Sequence, residues 1–269
     1  MVRQPAVAGR FYSADAEQLR QDVDRYTSAG AGQTKRRARG CVVPHAGYMY
    51  SGHVAGAVYA ALELPARYII LCPRHFPQGQ ALAIMSEGAW QTPMGEAAID
   101  ARLAASLKQA CALLREDDVA HRAEHSLEVQ LPFLQRLAGD FQFVPVALGT
   151  DRYDALAELG RAVAGVVAAE AGPVLIVASS DMNHYESDAR TREKDGKAIE
   201  RILALDPRGL YDAVRREKIS MCGYGPAVTM LTAAKQLGAT RAELVRYATS
   251  GDITGDRSEV VGYAGIVVE

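Results

Sequence analysis

Three of the six histidines follow apolar runs that have the composition of buried strands. His45 lies in the segment Pro-His-Ala-Gly-Tyr, His75 in Pro-Arg-His-Phe-Pro, and His184 in Ser-Ser-Asp-Met-Asn-His. Imidazole is the commonest metal ligand in proteins, and open α/β sheets bind ligands beyond the carboxyl ends of their strands. We therefore expect these side chains to meet at one sheet edge and favour a transition-metal site. For each histidine alone, a loop residue held by backbone hydrogen bonds is an equally good interpretation.

A cysteine could add a sulfur ligand to this site. Cys222 directly precedes a helical pattern, where the positive end of the helix dipole favours the thiolate that metals need. A small buried residue at a tight turn is the alternative, and the sequence leaves both open. Cys41, Cys72 and Cys111 lie in predicted strands or on an amphipathic helix, so we expect them in the core. The absence of a CxxC pair predicts neither disulfides nor a structural zinc site and fits a reducing cytoplasm.

His125 and Glu128 are three residues apart in the segment Glu-His-Ser-Leu-Glu-Val-Gln. This spacing places both on one face of a predicted helix. A pair near the metal and a hydrogen bond at the surface both fit the spacing, which by itself favours the surface. The order of the residues is not the HExxH pattern of zinc proteases.

The elements that must position these residues alternate along the chain. Continuous apolar runs separated by helical patterns predict a mostly parallel sheet covered by helices on both faces. We expect a single three-layer α/β domain over residues 1–269, with an antiparallel C-terminal pair of strands. An N-terminal helix is separated from the first strand by residues 28–34, the only flexible-looking stretch. Predicted strands are Gly40–Val43, Tyr68–Leu71, Phe143–Leu148, Val174–Ala178, 242–249 and 259–268, and predicted helices are 52–63, 99–115, 124–138, 151–169, 188–204 and 224–237.

Composition and missing motifs exclude several classes of partner. The formal net charge is −2 and acidic and basic residues are interspersed. The sequence therefore has no extended run of positive charge that could bind nucleic acid or an anionic membrane. We interpret the basic run 35–39 as a solvated loop end. No P-loop, GxSxG or GxGxxG element supports nucleotide binding, acyl-serine chemistry or a Rossmann cofactor. No signal peptide or 18-residue apolar window is visible, which predicts a cytoplasmic protein.

Taken together, the ordered motifs resemble the Memo family, whose prokaryotic members are also labelled AmmeMemoRadiSam system protein B. The motifs are Pro-His-Ala-Gly-Tyr, Pro-x-His, Glu-His-Ser-Leu-Glu-Val-x-Leu-Pro, Ser-Ser-Asp-x-x-His and a late Cys-Gly before a helix. The likeness covers nearly the whole chain, from Pro5–Tyr12 to Val260–Ala264.

The resemblance implies a fold similar to that of the class III extradiol dioxygenases, which open catechol rings with non-haem iron(II). It places metal ligands at His45, His75 and Cys222, so that a thiolate replaces the dioxygenase carboxylate. Asp181 and His184 fall beside the metal, where the dioxygenases keep an acid/base histidine. The resemblance also favours a supporting role for His125 and Glu128 around the metal ligands. Gln130 departs from the animal members, which carry histidine there, and we expect it to alter the polarity of the pocket rim.

Two classes of function follow from this resemblance. A His2Cys site suits iron(II) or copper, and zinc is also compatible. Three protein ligands leave open positions, which favours a metal-dependent oxidoreductase that uses O2. The alternative is a non-catalytic protein that binds copper or iron, or a signalling protein that binds a peptide, and a third interpretation is an empty pocket. The expected partners are a small molecule or peptide and, from the system label, a radical S-adenosylmethionine protein.

Overall fold

Buried apolar runs form the strands of one large sheet. The computed structural model describes residues 1–30, 32 and 34–269, and the two remaining residues lie within the predicted flexible stretch 28–34. The strands are β1 (Val2–Arg3), β2 (Gly40–Val43), β3 (Arg67–Pro73), β4 (Leu82–Ile84), β5 (Ala89–Thr92), β6 (Gly95–Ile99), β7 (Arg115–Glu116), β8 (Gln142–Leu148), β9 (Leu175–Ser179), β10 (His184–Glu186), β11 (Ala242–Thr249) and β12 (Val260–Val268).

Helices connect most of these strands. Several begin at a side chain that accepts a hydrogen bond from the first turn, as Asp15, Asp100 and Ser187 do. No helix of the described residues is long and apolar enough to cross a membrane. The helices are α1 (Ala16–Thr27), α2 (Tyr48–Ala61), α3 (Ala101–Ala110), α4 (Val119–Arg122), α5 (His125–Glu128), α6 (Leu131–Leu137), α7 (Tyr153–Ala168), α8 (Asp188–Leu203), α9 (Pro207–Arg216), α10 (Tyr224–Gln236) and α11 (Gly251–Thr254).

The centre of the sheet is parallel, as the sequence predicts. Its spatial order is β1-β5-β6-β8-β3-β9-β2-β12-β10, and β6, β8, β3, β9 and β2 all run in the same direction. Ile69 of β3 lies between Val144 and Ile176 of its two neighbours. The predicted antiparallel C-terminal pair is confirmed, because β12 runs against both β11 and β2.

Helices cover both faces of this sheet and give the domain three layers. Alternate residues of β3 point to opposite sides: Ile69 packs into the apolar cluster beneath α3, α7 and α10, whereas Ile70 packs into the cluster beneath α1, α2 and α6. Cys41, Cys72 and Cys111 are fully buried in these clusters, which confirms the expectation that they are core residues. The result is a single α/β domain with a mostly parallel sheet.

The predicted helix 124–138 is wrong as a single element. It is divided into α5 and α6, and Pro132 occupies the first turn of α6. Proline lacks a backbone N–H and its ring clashes with the preceding turn, so one helix cannot continue through this position. The strands between 82 and 99 and helix α9 are additional elements. The strands there are too short to give a clear period in the sequence.

Candidate metal centre

Three neighbouring strands deliver the predicted site residues to one edge of the sheet. The strands β3, β9 and β2 are adjacent and parallel, so their carboxyl ends lie together. His75, Asp181 and His45 each occur two residues after the end of one of these strands. The strand exits thus bring together side chains that are far apart in sequence, at the place where α/β sheets bind ligands.

Ser179 fixes the tautomer of His45. The Ser179 hydroxyl donates to the carbonyl oxygen of Ser126 at 2.6 Å and accepts from Gln130 Nε2 at 2.9 Å. Its oxygen must therefore accept from His45 Nδ1, which lies 2.9 Å away. Burial, and then the neighbouring histidines, lower the pKa of His45, so the ring is neutral. Its Nε2 consequently presents a lone pair to the pocket.

Glu124 fixes His75 in the same tautomer. One carboxylate oxygen of Glu124 accepts from His75 Nδ1 at 2.9 Å, and the other accepts from the His75 backbone N–H at 2.7 Å. Burial opposes ionisation of Glu124, but hydrogen bonds from His75 and Ser126 outweigh it and lower its pKa to about 2. Burial also opposes protonation of His75, yet Glu124 raises the pKa of this ring. A metal at His75 Nε2 would therefore have to displace a proton.

Cys222 lies against His45. Cys222 directly precedes the first turn of α10. Its Sγ is 3.2 Å from His45 Nε2. Burial, and then the charge of Asp181, raise the pKa of this thiol well above its usual value. The expectation that the helix end favours thiolate is therefore wrong for the protein without a metal. The 3.2 Å separation nevertheless matches two donors of one ion, since bonds of about 2.0 Å and 2.3 Å then enclose an angle of about 95°.

Asp181 and His184 line the same cavity as these residues. One oxygen of Asp181 accepts from the backbone N–H of His45 at 2.7 Å, and the other lies 4.0 Å from His45 Nε2. Burial raises the pKa of Asp181. His184 Nδ1 is 2.9 Å from the carbonyl oxygen of Ser220, which can only accept, so Nδ1 of His184 donates to it.

His125 belongs to this site, so its assignment to a surface hydrogen bond is wrong. Among the described residues, one ring nitrogen each of His45, His75 and His125 lie within 4.8 Å of one another. The ring of His125 stacks on His75 with centroids 4.6 Å apart. Burial lowers the pKa of His125 to about 4, so it is neutral. Cys222 is not a member of this compact group of donors, although it contacts His45.

Glu128 is fully buried and serves the N-terminal segment rather than the candidate metal centre. It accepts hydrogen bonds from the Tyr12 hydroxyl at 2.6 Å and from the backbone N–H groups of Ala6 and Val7, and it pairs with the guanidinium of Arg3. The surface interpretation is therefore wrong for this residue as well.

Gln130 does not lie at the pocket rim, which corrects the expectation for this position. It is fully buried, and its Oε1 accepts from the Tyr59 hydroxyl at 2.8 Å. Its Nε2 donates to the carbonyl oxygen of Pro44 at 3.0 Å and to Ser179. Gln130 therefore holds the hydroxyl that orients His45.

The centre lies between two cavities. The first has a volume of about 590 Å³ and is lined by apolar side chains such as Phe11 and Val261 together with the four histidines, Asp181 and Cys222. The second has a volume of about 460 Å³ and reaches His75 and Cys222. Tyr185, with φ +59° and a 73% exposed side chain, lies at the mouth of the first cavity.

A parallel sheet with converging imidazoles and a thiol at its carboxyl edge defines an α/β protein with a histidine-lined ligand pocket. The chain belongs to the Memo family: the model of the Memo-like protein family matches residues 3–267. It is 43% identical to MEMO1 family proteins of Methanopyrus kandleri, over 99% of both chains, and of Methanosarcina barkeri, over 100% of both. A solved structure of an uncharacterized protein from Escherichia coli K12 shares the fold alone, with 13% identity, a TM-score of 0.50, and coverage of 86% of this chain and 100% of that one.

Proposed function

We propose that this Memo family protein binds iron(II) or copper through His45, His75 and Cys222 and supports redox chemistry with O2. The observation that carries the proposal is the arrangement of donors: two imidazoles whose Nδ1–H groups are held by oxygen acceptors, which leaves each Nε2 for a metal, and a sulfur 3.2 Å from one Nε2. Hydrogen bonds hold both rings before any ligand arrives, so little reorganisation is needed on binding.

The partners of the two histidines fit a metal centre. Histidine ligands of metals usually donate their other ring N–H to a carboxylate or another oxygen, which fixes the tautomer. His75 donates to the Glu124 carboxylate and His45 to the Ser179 hydroxyl. A thiolate is a softer donor than a carboxylate, so the set suits copper as well as iron(II), and zinc is also compatible.

The bound ion would supply one-electron redox chemistry and open positions for O2 or a substrate. With its Nδ1 held by the Ser220 carbonyl oxygen, the His184 ring would exchange a proton through Nε2 at the wall of the same cavity. Asp181 orients the His45 loop through the backbone N–H groups of His45 and Ala46. The apolar side chains of Phe11 and Val261 reduce the access of water.

Oxygen consumption tests this proposal. Protein purified without oxygen is loaded with Fe(II) or Cu(I), and uptake of O2 and formation of peroxide are followed. We expect metal-dependent uptake that Cys222→Ala abolishes, while the control Cys111→Ala, distant from the site, retains it. Metal binding with no uptake would instead assign the protein to non-catalytic metal handling. Failure of the wild type to bind either ion would overturn the proposal.

A further inference from the structure

His125 has no partner of its own in the pocket. Among the side chains that the structure describes, none makes a hydrogen bond to either ring nitrogen of His125. Its Nδ1 is 3.6 Å from Glu124, whose nearer oxygen already accepts from His75 and Ser126. The side chain is only 18% exposed and its ring packs against Phe11 at 4.9 Å. The ring of His125 therefore lies at the pocket wall with nitrogen atoms that no protein group engages by a hydrogen bond, in the part of the chain that the structure describes.

One ring nitrogen from each of the three histidines lies close enough to the others to contact a single ion. The ring of His45 stands edge-on to both others, at interplanar angles of 83° to His75 and 82° to His125. Nitrogens 4.8 Å apart at most lie no more than about 2.8 Å from a common point, against bonds of about 2.0–2.1 Å, so each ring needs to move by only about 0.7 Å. Side-chain rotation supplies a shift of this size.

We propose that His125 is a further protein ligand of the same centre, completing a face of three imidazoles with His45 and His75. This inference rests on the proposed function and deepens it, because it gives the ion a choice of donors. Borderline divalent ions favour imidazole, whereas soft Cu(I) favours thiolate. His125 therefore contributes most to the binding of divalent ions, and Cys222 contributes most to the binding of Cu(I).

Titration with Co2+, a spectroscopic probe of divalent sites, tests the inference. Loss of an outer partner of a ligating histidine already weakens metal binding by about 10–100-fold, so loss of a ligand should cost at least about 100-fold. We expect His125→Asn to raise the Kd for Co2+ by that factor and to change the Kd for Cu(I) by less than about 3-fold. Cys222→Ser should raise the Kd for Cu(I) by at least about 100-fold. His53→Asn, a half-buried histidine on α2 away from the site, is the matched control and should leave both affinities unchanged.

X-ray absorption of the Co2+-loaded wild type counts imidazole ligands without any variant. Three imidazoles would support the inference, and two would overturn it. Co2+ affinity of His125→Asn equal to that of His53→Asn would overturn it as well. If His45→Asn then still abolishes binding, the proposed function survives and only the role of His125 is wrong. If wild-type protein binds neither ion, both proposals fail.

Discussion

Removal of the Ser179 hydroxyl should weaken metal binding even though all three proposed metal ligands are still present. Ser179→Ala deletes one buried oxygen that accepts from His45 Nδ1 and Gln130 Nε2 and donates to Ser126. Each buried partner left unsatisfied costs about 1–3 kcal/mol, and relaxation recovers part of this, so we expect about 3 kcal/mol of destabilisation. That corresponds to a fall in Tm of roughly 6–12 °C. With its tautomer no longer fixed, His45 should bind metal about 10–100-fold more weakly.

Thermal unfolding and metal titration of the same samples measure the two effects. Ser106→Ala, at a partly exposed serine of α3, is the control and should change stability by less than about 0.5 kcal/mol. A Ser179→Ala protein that is folded, destabilised as expected, and binds metal within 2-fold of the wild type would refute the argument that this hydroxyl prepares His45.

Three further substitutions test other buried polar groups. Glu124→Gln removes the carboxylate that holds His75 and should weaken metal binding by about 10–100-fold in a competition assay, with unchanged affinity as the contrary result. Arg3→Met leaves Glu128 without its ion-pair partner and should cost about 3 kcal/mol in urea unfolding; a loss below about 1 kcal/mol would contradict this. Burial raises the pKa of Asp195 to about 7, so the folded state binds the extra proton and stability should fall as pH rises from about 4 to 7, by up to about 4 kcal/mol. Asp195→Asn should flatten this slope, and an unchanged slope would contradict the assignment.

The sequence predicted correctly those features that depend on one strand or helix, or on the architecture of the sheet. Strand β2 occupies the predicted residues Gly40–Val43. A short, continuous apolar run bounded by polar segments is typical of a buried strand. His45 and His75 meet because parallel strands end at a common edge, which is a property of the architecture rather than of either loop. Helix α10 was predicted equally well from the sequence: it begins at Tyr224, and Gly223 after Cys222 is its N-cap residue.

The sequence was uninformative where function depends on contacts between distant segments. The role of Gln130 requires knowing that Tyr59, Pro44 and Ser179 surround it, and no local pattern carries that information. Helical spacing placed His125 on a face but could not say which face is buried. The raised pKa of Cys222 has the same origin, because the surrounding pocket walls outweigh the local dipole of α10.

Crystallographic location of the ion tests the central claim most directly. Crystals soaked with Fe(II) or Cu(I) and measured at the metal absorption edge should give one anomalous peak within about 2.0–2.4 Å of His45 Nε2, His75 Nε2 and Cys222 Sγ. A fully loaded crystal with its peak elsewhere, or with these three donors still free, would contradict the account.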